Sequence, residues 1–236
     1  MTQRHVMVPG DRQAPNLLDA IAGRHYVPLK YSVRLNPEVL DEATPLDTPI
    51  RYIDISSVES GTGRTSTEDF EFGNAPSRAR RRLKSGDVFV STVRTYLKAI
   101  GYCDEQASDL ICSTGFAVLR ADQRVHPRFL FHWCSSEPFV AEVVSRSTGV
   151  SYPAINASEV GQLPLPAVPL EEQRRIADFL DSKTAEIDAL IAKNERMIAL
   201  LKEKRQALIA EAVAGRLGES MMPAATSTRA KEPVSC

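Results

Sequence analysis

PLEEQRRIADFLDSKTAEIDALIAKNERMIALLKEKRQALIAEAVAGRL, residues 169–217, decides the architecture. From 170 to 214 the stretch holds neither Gly nor Pro, so a continuous helix of its 45 residues would run about 67 Å at ~1.5 Å per residue. One heptad register sets Leu180, Ile187, Asn194, Leu201 and Leu208 at successive a positions. Its d positions hold Lys183, Leu190, Met197, Lys204 and Glu211, with Ile191 and Ile198 widening the stripe at e. The seam is apolar in the middle and weak at both ends. Burying about eight such side chains is worth ~1.5–3 kcal/mol each, too much to leave wet. The alternative, packing back on the chain's own globular part, must cover roughly four heptads. A helix that protrudes and packs against a partner helix, from a second copy or another subunit, is therefore expected. Asn194 either fixes the register of that pairing at a cost in stability or is half exposed and tolerated.

Outward from the helix, the chain changes character at Pro169. Before it, Gly and Pro recur every few residues. RYIDISSV (51–58), GDVFVSTV (86–93) and GFAVLRA (115–121) suit strands, rich in β-branched or aromatic residues. PRFLFHWCSS (127–136) starts with the Pro that opens helices, and EPFVAEVVSR (137–146) puts Phe139, Val140, Val143 and Val144 on one helical face. Asn156 and Glu159 have capping-box spacing, and QLPLPAVP (162–169) suits an edge or a connector. The predicted class is α+β. Its expected parts are an N-terminal segment (1–25), a mixed α/β globular domain (26–168), the long helix (169–217) and a disordered tail (218–236).

Composition narrows the function. The 236 residues are 43% hydrophobic and 25% charged with a net charge of −1, which excludes a wholly disordered chain and a uniformly basic nucleic-acid coat. Cysteines at 103, 112, 134 and 236 form no C-x-x-C pair, so the reducing cytoplasm is the expected compartment. No apolar run approaches the ~18 residues of a membrane span, and the first residues lack the apolar core of a secretory signal.

The sharpest local feature is a basic cluster. Between 77 and 98 stand Arg78, Arg80, Arg81, Arg82, Lys84, Arg94 and Lys98 against the single acid Asp87. Arginine forks suit phosphate and guanine; Ser77, Ser91 and Thr92 add hydroxyls, and Tyr96 adds an aromatic platform. The cluster reads either as a nucleic-acid contact or as a solvated basic loop. SRSTG (145–149), with Arg146, Thr148 and nearby Tyr152, is a second and weaker loop of the same kind. Catalytic signatures are missing. SGTGRTST (60–67) lacks the Gly-Lys-Ser/Thr of a P-loop, and no G-x-S-x-G elbow occurs. The histidines have no metal-ligand spacing, and His132, inside an apolar helix, reads as a core residue. EDFEF (68–72) reads as a solvated acidic turn. Neither the cofactor loop nor the base-flipping motif of a methyltransferase is present. No catalytic residue, metal or cofactor is expected.

Residues 169–217 closely resemble the helical region of type I restriction-modification specificity subunits. RYIDISSV, APSRARRRLKSGDVFVSTVRTYLKAI, STGFAVLR and RSTGVSYPAINASEVGQLPLP look like a target recognition domain of that family. The resemblance covers about residues 26–217. It implies a non-catalytic subunit that reads double-stranded DNA for a complex in which methylation subunits modify adenine and a restriction subunit translocates and cuts. It further implies two recognition domains held apart by an antiparallel coiled coil of two helices. This chain carries one domain and one helix, about half the expected length.

Such a half could pair with itself through Leu180, Ile187, Leu190, Ile191, Asn194, Met197, Ile198, Leu201 and Leu208, and read a palindromic two-part site. It could pair with a different half subunit, or be a truncated remnant. Two further readings stand beside these: an interaction protein that does not read DNA, and a fragment of a fused restriction-methylation enzyme. On the leading reading, Ser77, Arg78, Arg80, Arg81, Arg82 and Lys84 meet phosphates. Arg94, Tyr96, Lys98, Arg146, Thr148 and Tyr152 then lie at the groove.

Overall fold

The computed structural model describes residues 25–105 and 108–216. The expected 218–236 tail, and the expected N-terminal segment apart from His25, lie outside them. The strands are β1 (Tyr26–Pro28), β2 (Val33–Leu35), β3 (Pro49–Ile53), β4 (Glu68–Glu71), β5 (Ala79–Arg82), β6 (Asp87–Ser91), β7 (Ile100–Tyr102), β8 (Leu110–Ser113) and β9 (Phe116–Ala121). There follow α1 (Pro127–Ser135), α2 (Glu137–Arg146), α3 (Ala157–Val160), β10 (Pro164–Pro166) and α4 (Leu170–Val213). The fold is α+β, as the sequence predicts. The chain divides into two compact units, the first ending at Leu180 and the second beginning at Asp181.

The first unit is layered. One antiparallel sheet runs β2-β9-β6-β7, and a mixed sheet runs β4-β3-β8-β5 with β3 and β8 parallel. Strand β6 is buried along its whole length, and its alternation explains why. Val88 and Val90 face a cluster with Phe129, Leu130, Phe139 and Val143 of the two helices. Phe89, one residue out of phase, faces Phe116, Val118, Cys103 and Cys112 between the sheets. A period of two thus gives an unbroken apolar run when both faces are covered. Gly101 sits opposite Phe89, where a Cβ would come within 2.2 Å of the ring, so glycine is required there. Beyond the second sheet, Ile111 joins Leu40, Ile50, Tyr52 and Phe72 in a third cluster.

Several local expectations change. RYIDISSV is a strand only to Ile53; Asp54 then accepts a hydrogen bond from the Ser56 amide and caps a 3-10 turn. EDFEF is not a turn: Glu68–Glu71 forms the edge strand β4, paired with β3, its acids facing water. His132 is half-buried rather than a core residue, and its ring lies 5.4 Å from that of Phe131. The Asn156/Glu159 capping box is present, and β10 pairs only with β1, consistent with its prolines.

Gln173 carries no signal in the sequence. On the first turn of α4 it is 2% exposed, and its amide is fully used. Its Oε1 accepts from the His126 amide at 2.8 Å, while its Nε2 donates to the carbonyls of Val168 at 2.7 Å and Arg124 at 3.1 Å. One turn on, Ala177 is fully buried. This binds the helix start, through Leu180, into the first unit.

Replacing Gln173 with Leu strands those backbone groups, so Gln173→Leu should cost about 3 kcal/mol in urea unfolding. A loss below ~1 kcal/mol would show that the amide does not fix the helix start.

Candidate nucleic-acid interface

The basic run is not a loop. Ala79–Arg82 forms β5, paired antiparallel with β8, and Ala79 and Leu83 are fully buried. A bulge between Ala79 and Arg81 leaves Arg80 outside the regular register. The other side of β5 is also covered: the Leu40 amide donates to the Arg80 carbonyl, and the Arg82 amide to that of Glu38.

The structure uses most of these cations internally. Arg80 lies over the Phe72 ring, 4.6 Å from its centre. Arg81 is half-buried opposite Cys112 with no partner on its Nε, and burial draws its guanidinium below the usual arginine range. Arg82 donates to the Ser108 carbonyl at 2.9 Å. Lys84 Nζ lies 2.5 Å from Glu38, which also receives Arg120. Arg120 in turn grips the fully buried Asp87 with two bonds of 2.8 and 2.7 Å. Asp87 also accepts from the Lys84 amide at 2.8 Å. Losing Arg120 would leave a buried carboxylate uncompensated, a cost of about 3–5 kcal/mol. Hydrogen bonds from Lys84 and then Arg120 hold the Glu38 carboxyl below the usual glutamate range, and the Asp87 bond holds Arg120 above the usual arginine range. Ser77 and Arg78 remain exposed, and among the described residues Arg78 has no carboxylate partner.

The second group is built from two loops locked together. Residues 92–98 follow β6, and residues 147–155 follow α2. The Arg94 amide donates to the Pro153 carbonyl at 2.8 Å and the Ile155 amide to that of Thr92 at 2.9 Å. Thr95 Oγ1 and Ser147 Oγ are hydrogen-bonded at 2.8 Å, and Thr148 and Ala154 exchange both backbone bonds. Arg94 and Lys98, at φ of 51° and 52°, bracket the 3-10 turn Thr95–Leu97 in the left-handed region, a strained choice for side chains of this size. The Arg94 guanidinium stacks on Tyr152, 4.7 Å from the ring centre. Lys98 is paired with Glu137 at 2.6 Å and Arg146 with Glu142 at 2.6 Å, so neither is a free cation. Tyr96, Thr148 and Tyr152 are exposed.

Backbone bonds join the groups. The Thr114 amide donates to the Arg78 carbonyl, and the next residue, Gly115, accepts from both the amide and the hydroxyl of Thr92. Arg78, the turn between β8 and β9, and the two loops are therefore linked through backbone bonds. Leu97 and Val150, which the sequence alone does not point to, stand exposed on these two joined loops. No signal in a single sequence marks them.

In the second unit the stripe on α4 is open. Ile187, Leu190, Ile191, Met197, Ile198 and Leu201 are 50–60% exposed, Asn194 is exposed, and Leu208 is 37% exposed; Leu180, at the end of the first unit, is half-buried. Charge is uneven along the helix: four acids face two bases over 181–195, and four bases face two acids over 196–213. Among the described residues no group of His, Cys, Asp and Glu could hold a metal ion, and no helix is long and apolar enough to cross a membrane.

Comparison with known proteins gives a consistent picture. A family model described as the type I restriction modification DNA specificity domain matches residues 50–198. The EcoDI type I restriction enzyme specificity subunit of Escherichia coli is 23% identical over 196 residues, covering 81% of this chain and 43% of that subunit. The crystal structure of the HsdS subunit from Thermoanaerobacter tengcongensis is similar with a TM-score of 0.64 and 32% identity, over 93% of this chain and 54% of that one. A structure addressing complex assembly and conformational transition of the type I R-M system is similar with a TM-score of 0.67 and 32% identity, over 87% of this chain and 52% of the other. The chain spans about half the length of these relatives.

Because Glu38 is held below its ordinary pKa, its contribution to stability is complete above the unfolded value and fades as pH falls through the folded one. Urea unfolding followed down through the carboxylate range should show a smaller acid loss in Glu38→Gln than in the parent chain. Parallel profiles would show that Lys84 and Arg120 do not hold this carboxylate.

Proposed function

The chain belongs to the type I restriction-modification DNA specificity family, and from that premise we propose that it reads one half of a bipartite duplex target for methylation and restriction subunits, itself catalysing nothing. The observation that carries this reading is the open apolar stripe on α4, which asks for a second helix. The occupant is a second copy of this chain. Its uneven charge favours an antiparallel pair, in which the acidic 181–195 stretch of each helix meets the basic 196–213 stretch of the other. With 44 residues α4 measures roughly 66 Å, nearly two turns of B-DNA, and so suits a spacer between two readers. Two-fold pairing would mirror a palindromic site with an unspecified middle. Two methylation subunits would dock along the helices and their flanks, with the restriction subunit joining them, in the cytoplasm where host DNA is modified.

On the recognition unit, Ser77, Arg78 and Arg94 are best placed to meet phosphates. Arg80, Arg81, Arg82, Lys84, Lys98 and Arg146 act chiefly in holding the unit together.

In sedimentation the chain should run as a dimer, and Ile187→Asp with Leu201→Asp should make it monomeric. A monomer at high concentration would overturn self-pairing and favour a different half subunit as partner. With its methylation subunit, the dimer should select a two-part palindrome from a randomised duplex pool. Arg78→Ala and Arg94→Ala should each flatten the dependence of log affinity on log salt by ~0.9 for every phosphate no longer neutralised, and Arg81→Ala should leave it unchanged. The reverse pattern would return phosphate binding to β5. Inserting one heptad into α4 should lengthen the spacer and leave the half-sites as they were.

A further inference from the structure

Resting on the DNA-reading function above, we infer that Leu97 and Val150, carried on the same joined loops as Tyr96 and Tyr152, determine sequence preference by apolar contact with thymine methyl groups in the major groove. Val150 is 103% exposed, and Tyr96, Leu97 and Tyr152 are 53%, 43% and 61% exposed. Large apolar groups gathered on adjoining loops mark a binding surface more often than chance exposure does.

The loops that carry them are stiff. Left-handed residues bracket the turn bearing Tyr96 and Leu97, and the Thr95–Ser147 bond ties that turn to the second loop. Val150 follows Gly149, whose φ of +109° strains any L side chain and where a Cβ would come within 3.1 Å of the Tyr152 carbonyl oxygen. The backbone therefore presents these side chains in fixed positions, and the strain at Arg94 and Lys98 is the kind that persists where geometry matters.

Charge selects the occupant. The nearby Lys98 and Arg146 are neutralised by Glu137 and Glu142, while Arg94, stacked on Tyr152, and Arg78, across the turn between β8 and β9, have no carboxylate partners among the described residues. Apolar groups on loops that also carry Arg94, with Arg78 linked to them through the turn between β8 and β9, suit a groove floor lying between two phosphate rims. On that floor thymine alone among the four bases carries a methyl group. A protein partner would find too small an oily surface here and a cationic edge.

The test uses the full chain with its methylation subunit and the duplex selected from a random pool. The selected site is resynthesised with deoxyuridine in place of thymine, one position at a time, which removes only the methyl. Affinity should drop about fourfold for each methyl that is touched, the equivalent of the ~0.8 kcal/mol of one buried CH₂. Val150→Ser and Leu97→Ser should each abolish the drop at a particular position while keeping the salt dependence. Both residues are exposed, so folding is not at stake. A half-site without A·T pairs, indifference to deoxyuridine, or a drop that survives both substitutions overturns this inference and leaves DNA reading intact. A pool that yields no preferred sequence overturns DNA reading itself.

Discussion

The buried amide of Gln173 is the constraint on which the arrangement depends. A helix start leaves backbone donors unsatisfied, and a recognition unit built of loops and short strands leaves carbonyls unsatisfied where chain segments end. Gln173 meets both needs on the unit's side: one amide accepts from His126 and donates to Arg124 and Val168. A charged or apolar side chain of similar size could satisfy only part of that set. With Ala177 and Ile176 packed into the cluster, the first turns of the helix are part of the recognition unit's own core, and that unit runs to Leu180. An exchange of recognition loops can then leave the helix start alone, because no residue of the two exposed loops takes part in this lock.

The cationic cluster shows how far linear charge can mislead. Counted along the chain, residues 77–98 carry a strong positive excess. In three dimensions that excess meets acids from distant segments: Glu38 reaches Lys84 and Arg120, and Glu137 reaches Lys98. Burial takes Arg81, and the Phe72 ring takes Arg80. What the sequence offered as a phosphate loop is mostly the scaffold of a strand. The cations left over, Arg78 and Arg94, are separated by sixteen positions in the chain and joined through the turn between β8 and β9.

Legibility followed the range of the interactions concerned. Helices α1 and α2 were readable, the first from its opening proline and the second from apolar residues on one face. Strands β6 and β9 were readable from runs of Val, Phe, Leu and Ala, and the cap at Asn156 from spacing alone. Edge strand β4, with its exposed acids, was not, because its propensity argues against a strand and only the pairing with β3 makes it one. The left-handed turn at Arg94 and Lys98 was hidden for a similar reason: its geometry comes from Ser147 and Pro153, not from neighbours in sequence.

The apolar groups on α4 and those on the two joined loops are exposed for different physical reasons. On α4 the apolar side chains repeat at heptad spacing over several turns, so the exposed area grows with every turn and only another long helix can match it. On the recognition unit the exposed groups are few, fixed by hydrogen-bonded loops and edged by arginine. A surface of that size supplies little binding energy, but each side chain has a fixed position, which is what discrimination between bases requires. On the proposed function, the helix stripe would provide the strength of assembly and the loops its selectivity. On the proposed self-pairing, a pair of identical helices would duplicate the loops, each small contribution to selectivity would count twice along one DNA, and modest groups such as Leu97 and Val150 would suffice.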